Sequence, residues 1–244
     1  MLQRRYNMQA SCKELRRRAW ERLANGNYWR SVLVTFIVSV ANSVAGIFTF
    51  GPMNYGSAKF FLYAQRGKKV DIDMIGDGFT SYGKTFLTGL LLVVFIFLWS
   101  LVVYIPLIIF SVSASIVRSG VEQTNLPFQL MLVFGFLSAI TVWIPLIKSF
   151  SYSMTFYISV DFNLFGTEAI SKSVELMKGY KAKLFRLGLS FFGWYLLSSL
   201  TFGIGAIFLA PYVEATVAEF YAELLDCHGI TPEQSPENDD NLKF

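Results

Sequence analysis

The chain alternates between long uncharged hydrophobic segments and short charged ones. Four segments carry no charged residue: 31–58, 85–117, 123–147 and 187–213. A helix crosses the hydrocarbon core of a bilayer with about 20 residues, so each segment is long enough to cross. Helices at the surface of a soluble protein keep a polar face, and these segments have no charges to supply one. The pattern therefore predicts an all-α protein that crosses a membrane several times.

Proline signals set the expected ends of these helices. Pro52 and Pro211 interrupt the first and the last segment, because proline cannot donate the next helical hydrogen bond. The fold predicted is a polytopic membrane helical bundle of four long spans plus two short proline-led helices, about six helices in all. The long spans are placed at Ser31–Phe50, Phe86–Phe110, Leu130–Ile147 and Leu187–Leu209, and the short helices at Met53–Gln65 and Tyr212–Leu225.

Amphipathic helices are expected beside these spans. In residues 11–24, Leu15, Ala19 and Leu23 form an apolar stripe surrounded by arginines. This pattern favours a helix in the membrane interface with its arginines near anionic headgroups; the alternative is a solvated basic helix. Residues 161–183 form a second amphipathic region.

Three parts of the chain are predicted from this arrangement. Residues 1–30 are a basic segment that includes the N-terminal amphipathic helix, and residues 31–228 are a single integral membrane domain. Residues 229–244 are an acidic tail that is expected to be disordered, because it has little apolar surface to bury.

The two ends of the chain share an order of parts. A helix that ends at Gly26 precedes the first span, and a helix that ends at Gly179 precedes the fourth. After Pro52 and Pro211, the short helices carry similar residues at similar places: Ala58, Phe60 and Phe61 in the first, and Ala218, Phe220 and Tyr221 in the second. We interpret this as an internal repeat, an arrangement common in transporters.

The distribution of Lys and Arg predicts the topology. Basic residues are concentrated in segments 1–30, 59–84 and 148–186, whereas Arg118 is the only one between Lys84 and Lys148. Cytoplasmic loops carry the excess of Lys and Arg, so all three basic segments are placed inside, with a cytoplasmic N-terminus. This requires Met53–Gln65 to return across the membrane or to dip into it; the sequence leaves open whether it crosses or lies at the surface.

Charged residues within or beside apolar segments are the candidate functional residues. Four are singled out, because an intramembrane charge is costly to keep: Lys59, Lys148, Glu214 and Glu219. Lys59 and Glu219 occupy similar places in the two repeats. For Lys148, snorkelling to the interface is the favoured alternative. The helix-breaking residues expected are Pro52, Pro106, Pro145 and Pro211.

No pattern of residues indicates a catalytic site, a cofactor or a metal. The single histidine, His228, has Cys227 as its neighbour, but adjacency in sequence does not make a dyad. Asp71, Asp73 and Asp77 resemble a calcium loop, yet the twelfth position of such a loop is Tyr82 instead of Glu. A solvated turn is expected there, and the chain is predicted not to be an enzyme.

Composition supports this assignment. Hydrophobic residues make up 54% of the chain and charged residues only 16%, against about 25% charged in soluble domains. The net charge of +4 comes from basic clusters beside apolar segments, which membrane orientation explains better than nucleic acid does. The partners expected are anionic lipid headgroups, and other proteins or a second copy of the chain.

The C-terminal half resembles a known family. From Ile144 to Tyr221 it is similar to an uncharacterised family of bacterial integral membrane proteins catalogued as domain of unknown function 975. The resemblance is carried by Ser173, Met177, Gly179, Phe185, Phe192-Gly193-Trp194, Gly203–Gly205, Pro211-Tyr212 and Phe220-Tyr221. Family members usually have Pro-Gly where this chain has Pro145-Leu146. The resemblance implies a bacterial plasma-membrane protein and no catalytic residues.

These observations favour a non-catalytic membrane protein. The expected function is a membrane scaffold or a partner-binding subunit. The alternative is a transporter or permease component for small solutes or amphipathic molecules, because the repeat and the prolines are typical of transporters. The sequence names no substrate, partner or oligomeric state.

Overall fold

The computed structural model describes residues 10–24, 26–119, 126–201 and 203–230, which are helical over most of their length, and no strand occurs among them. Of the tail predicted to be disordered, 229–244, only Gly229 and Ile230 are among the described residues, and Gly229 caps the last helix. The all-α prediction is confirmed. The helices are α1 Cys12–Ala24, α2 Tyr28–Ala45, α3 Ile47–Gln65, a 3₁₀ helix Ile72–Gly76, α4 Asp77–Thr80, α5 Tyr82–Ser119, α6 Leu126–Thr141, α7 Trp143–Tyr152, α8 Thr155–Phe162, α9 Gly166–Leu176, α10 Lys181–Leu189, α11 Phe192–Leu200 and α12 Ile204–His228.

Four helical stretches of the described chain are long and apolar enough to cross a membrane. They are Tyr28–Ala45, Tyr82–Ser119, Leu126–Phe162 and Ile204–His228. The first three contain most of the predicted spans. The placement of the fourth at residues 187–209 is wrong, because α10 ends at Leu189 and α11 ends at Leu200. A hydroxyl group lies at each of these breaks and competes with the helical hydrogen bonds: Ser190 donates to the carbonyl of Leu187, and Thr201 donates to the carbonyl of Ser198.

The prolines do not lead short helices, which corrects a second prediction. Pro52 lies inside the 19-residue helix α3 and Pro211 inside the 25-residue helix α12. The helix tolerates Pro52 because the carbonyl freed four residues earlier, that of Phe48, accepts a hydrogen bond from the hydroxyl of Tyr82 at 3.2 Å.

The other two prolines behave differently from each other. Pro106 lies inside α5 and does not end it. Pro145 lies in the first turn of α7, just after the break between α6 and α7 at Val142. Proline is well tolerated in a first turn, where its missing N–H has no helical partner to lose. Of the four expected helix breakers, only Pro145 lies next to a break.

Glycines make the turns that were assigned to prolines. The chain turns between α2 and α3 at Gly46, with φ +55°, and before α12 at Gly203, with φ +83°. The joints before α2 and α10 contain Gly26 and Gly179, with φ +90° and +88°. Only glycine adopts these conformations without steric cost. The predicted repeat is therefore visible as one order of parts used twice: helix, glycine with positive φ, helical segment, glycine with positive φ, proline-containing helix. The middle helical segment is the single helix α2 in the first copy and is divided into α10 and α11 in the second.

The repeat also appears in the core. Ala58, Phe60 and Phe61 of α3 are buried, and so are the residues at matching places in α12, which are Ala218, Phe220 and Tyr221. Both α3 and α12 run back along the preceding helix. Arg30 at the start of α2 donates to the carbonyl of Val70, just after α3, and Tyr180 before α10 contacts His228 at the end of α12.

The chain divides into two compact units. Unit 1 comprises residues 1–91 and 152–244 and contains the repeat; unit 2 comprises residues 92–151. Unit 2 consists of the later part of α5, α6 and most of α7, and its large apolar side chains are mostly exposed. Exposure of that kind is expected for helices whose surroundings are lipid.

Glycines also allow the segment after α3 to run back along that helix. A Cβ atom on Gly56 would collide with the backbone of Ile75, and one on Gly78 would collide with the carbonyl of Pro52. The polar segment 66–84, predicted to be a solvated turn, therefore contains two short helices packed on α3. Val70 and Ile75 of this segment are buried.

Candidate functional site

The structure gives each of the predicted charged residues its own partner. In α3, Lys59 Nζ lies 3.1 Å from Asp77 Oδ2. In α12, Glu219 Oε1 lies 3.8 Å from Arg22 Nε, and the glutamate is only 5% exposed. Lys59 and Glu219 match in the repeat, but each forms an ion pair with a different segment. The repeat therefore does not bring them together as a pair.

The other two candidates also have local contacts. The hydroxyl of Tyr157 donates to Glu214 Oε2 at 3.4 Å, within unit 1. In unit 2, Lys148 Nζ lies 4.1 Å from the centre of the Trp99 ring. A cation over a tryptophan face is stabilised by the ring quadrupole. This contact gives Lys148 a partner that the snorkelling interpretation did not include.

Helix α1 packs on α12 through the stripe that was expected to face the membrane. Leu15, Ala19 and Leu23 are fully or almost fully buried, because α12 lies against them. The backbone N–H of Ala10 donates to Glu223 Oε1 at 2.9 Å, and Arg18 contacts the other carboxylate oxygen at 3.4 Å. The apolar face of α1 therefore forms part of the protein core and is not available to lipid.

Most arginines of α1 are neutralised by carboxylates. Arg17 pairs with Glu14 and Glu21, Arg18 with Glu14 and Glu223, and Arg22 with Glu219. Hydrogen bonds from Arg17 and Arg18 lower the pKa of the Glu14 carboxyl from its usual 4.5 to about 2. The basic character of α1 in the sequence is thus largely balanced within the folded protein.

One buried ion pair, between Arg66 and Asp161, was not predicted from the sequence. Arg66 Nη2 lies 2.6 Å from Asp161 Oδ2, and the side chain of Asp161 is 2% exposed. The two residues lie far apart in the chain, so their pairing has no local pattern. The available signal was Asp161 itself, an isolated acid that ends a long apolar run and needs a cation to be buried.

Arg16 differs from the other arginines of α1. Among the described residues, it forms no ion pair. Its Nε donates to the hydroxyl of Tyr212 at 3.3 Å and its Nη1 to the carbonyl of Ser190 at 3.4 Å. The guanidinium carbon lies 5.0 Å from the centre of the Phe191 ring. Arg16 is therefore held in place by neutral groups, without a carboxylate partner among the described residues.

Arg16 lies at the edge of an apolar groove between α11 and α12. The groove has a volume of about 500 Å³, and its lining includes Trp20, Trp194, Leu197, Phe208 and Tyr212. The Trp20 ring contacts the rings of Tyr28 and Tyr212 edge-on at 6.0 and 5.9 Å. Tryptophan and tyrosine collect at the level of lipid headgroups, and the groove therefore combines interfacial aromatic residues, apolar walls and one cation.

Fold and site together define an all-α protein in which four helical stretches of the described residues are apolar and long enough to cross a membrane, and in which several charged residues form ion pairs within unit 1. The chain belongs to the family described as a protein of unknown function (DUF975), whose sequence model matches residues 12–227. This finding confirms the predicted family and extends the match well into the N-terminal half. No curated protein and no solved structure matches the chain significantly.

Proposed function

We propose that the chain is a non-catalytic membrane scaffold that acts in a bacterial plasma membrane by holding partner proteins. The observation that carries this proposal is the packing around α3. Cβ atoms on Gly51, Gly56 or Gly78 would collide with neighbouring backbone, and one on Gly89 would lie 2.6 Å from the Cα of Gly51. Glycine contacts of this type bring helix backbones together and leave no space for a solute at the contacts of α3.

The distribution of charge supports the same proposal. The charged candidates of unit 1 form separate pairs with Asp77, Arg22 and Tyr157, so they do not line one path. A transporter is expected to concentrate charged groups at its substrate site. A scaffold needs only a stable core and a surface that partners can contact.

The experiment compares solute flux with assembly. The full chain is reconstituted in liposomes loaded with K⁺, Cl⁻ or a fluorescent amphiphile, and release is measured against protein-free liposomes. In parallel, membranes that express the chain are crosslinked and its complexes are resolved. The scaffold proposal predicts no added flux and a discrete complex larger than one chain. Protein-dependent flux, or a chain that remains monomeric after crosslinking, would contradict it.

A transporter remains the second candidate because the repeat places opposite charges at matching positions. Lys59 lies between Ala58 and Phe60, and Glu219 lies between Ala218 and Phe220. If these residues serve transport, Lys59→Met and Glu219→Gln each abolish protein-dependent flux. Equal flux in both variants and in the wild type would exclude this role for them.

A further inference from the structure

We propose that the groove between α11 and α12 binds one anionic phospholipid, with its phosphate at Arg16 and an acyl chain along the apolar walls. The site is distinct from the scaffold contacts proposed above and needs only that unit 1 touches the bilayer.

Charge complementarity selects an anionic headgroup. Arg17, Arg18 and Arg22 each contact a glutamate, whereas Arg16 has no carboxylate partner among the described residues. The two hydrogen bonds that Arg16 donates use two of the five N–H donors of a guanidinium. The remaining donors suit the oxygens of a phosphate, for which arginine geometry is well matched.

The position of Arg16 is fixed before a lipid arrives. Its guanidinium lies over the Phe191 and Tyr212 rings, at 5.0 and 5.9 Å from their centres. The hydroxyl of Tyr212 also donates to the backbone carbonyl of Arg16 at 3.2 Å. A cation held in this way loses little conformational entropy when it binds a phosphate, which favours affinity.

The walls of the groove select an acyl chain. Leu197, Phe208 and Trp194 are each about half exposed, so the groove is open along its side. The hydroxyls at its far end are satisfied within the protein: Ser198 donates to Trp194, and Thr201 donates to Ser198 and accepts from Gly205. The hydroxyls at this end therefore do not need hydrogen bonds from a polar ligand. A volume of about 500 Å³ lies within the usual range of ligand sites, about 300–1,000 Å³.

The aromatic residues near the groove also fit this occupant. Trp20 and Tyr212 line the groove beside Arg16, and Tyr28 and Trp29 continue from Trp20 in a chain of edge-on ring contacts. An aromatic cluster marks the headgroup level, and the groove extends from it along the apolar helices α11 and α12. A phospholipid places its phosphate and its acyl chain in this order.

Native mass spectrometry of the full chain in a neutral detergent tests the proposal. Phosphatidylglycerol and phosphatidylcholine with identical acyl chains are titrated against the wild type and four variants. Arg16→Gln removes the cation, and Arg17→Gln is the matched control with the same change of net charge. Arg16→Lys keeps the positive charge but removes the planar guanidinium with its several N–H donors. Leu197→Trp fills the groove. Glycerol phosphate tests the headgroup without a chain.

The proposal predicts one phosphatidylglycerol bound in preference to phosphatidylcholine. Arg16→Gln weakens this binding about tenfold or more, as expected for a lost charge-assisted hydrogen bond, whereas Arg17→Gln leaves it within about twofold. Arg16→Lys gives an intermediate value, and Leu197→Trp weakens binding without a change in Tm. Equal loss in Arg16→Gln and Arg17→Gln, equal binding of both lipids, or binding of glycerol phosphate as tight as that of the lipid would overturn it.

Discussion

At the scale of single residues, charge in this apolar chain is balanced by specific partners. Asp161 and Glu219 are both nearly buried, and each lies beside an arginine from a distant part of the sequence. A buried charge without a partner is costly, so we expect these arginines to stabilise the fold. Among the four arginines of α1, Arg16 differs because its partners are neutral, and this difference suggests binding.

Replacement of Arg66 by Met tests the importance of the buried pair. The variant leaves Asp161 without its cation, and we expect the free energy of unfolding to fall by about 2 kcal/mol, because Arg66 itself is partly exposed. Unfolding by SDS in mixed micelles measures the change. Lys69→Met removes the same charge from an exposed position and is expected to have little effect. Equal stability of the two variants would show that the pair contributes nothing.

The pKa of Glu14 gives a prediction for pH. The folded value, about 2, lies below the ordinary 4.5, so the ion pairs with Arg17 and Arg18 stabilise α1 above about pH 4.5. This contribution is lost as the pH falls from about 4.5 through about 2. A ¹³C NMR titration of the Glu14 carboxyl should show its midpoint near the lower value. A midpoint near 4.5 would mean that these pairs do not persist in solution.

At the scale of elements, glycine determines where helices turn and how closely they pack. Gly46 and Gly203 adopt conformations with positive φ at the turns, whereas Gly51 and Gly89 bring α3 and α5 together. Sequence reasoning assigned the turns to Pro52 and Pro211, because proline is the stronger local signal. This assignment failed at Pro52 because the hydroxyl of Tyr82 donates a hydrogen bond to the carbonyl of Phe48, which Pro52 leaves without its helical donor. The two residues are 34 positions apart, so no local pattern predicts the contact.

Replacement of Gly51 by Ala tests the close contact between α3 and α5. The added Cβ collides with the carbonyl of Thr85, and we expect a loss of about 2 kcal/mol or more, because backbone must move. Gly83→Ala is the matched control on α5, since nothing lies within 4 Å of its Cβ. Alanine favours helix there, so the apparent Tm in detergent should stay equal or rise. Parallel loss in both variants would contradict close packing at Gly51.

The sequence predicted the elements that depend on composition and failed on those that depend on distant contacts. Four uncharged segments gave the helical class and most of the long apolar helices. The apolar stripe of Leu15, Ala19 and Leu23 suggested a helix at the membrane surface. The stripe alone does not show which surface covers it, and in the structure α12 covers it. The groove beside Arg16 was missed since α1, α11 and α12 meet there only in three dimensions.

At the scale of the whole molecule, the charge distribution predicts which segments face the cytoplasm. The segments around Lys68 and Lys181 are rich in basic residues, whereas Arg118 is alone near the end of α5. Cytoplasmic segments hold the excess of Lys and Arg. The proposed topology therefore predicts that positions 68 and 181 face the cytoplasm and that position 119 faces the opposite side of the membrane.

Cysteine labelling in intact cells tests this placement most directly. Cys12 and Cys227 are replaced by Ser, and single cysteines are introduced at Lys68, Lys181 and Ser119. A membrane-impermeant maleimide should label position 119 in intact cells, and positions 68 and 181 only after the membrane is permeabilised. If position 119 and position 68 react from the same side, α5 does not cross the membrane and the account of this protein as a membrane-spanning scaffold is contradicted.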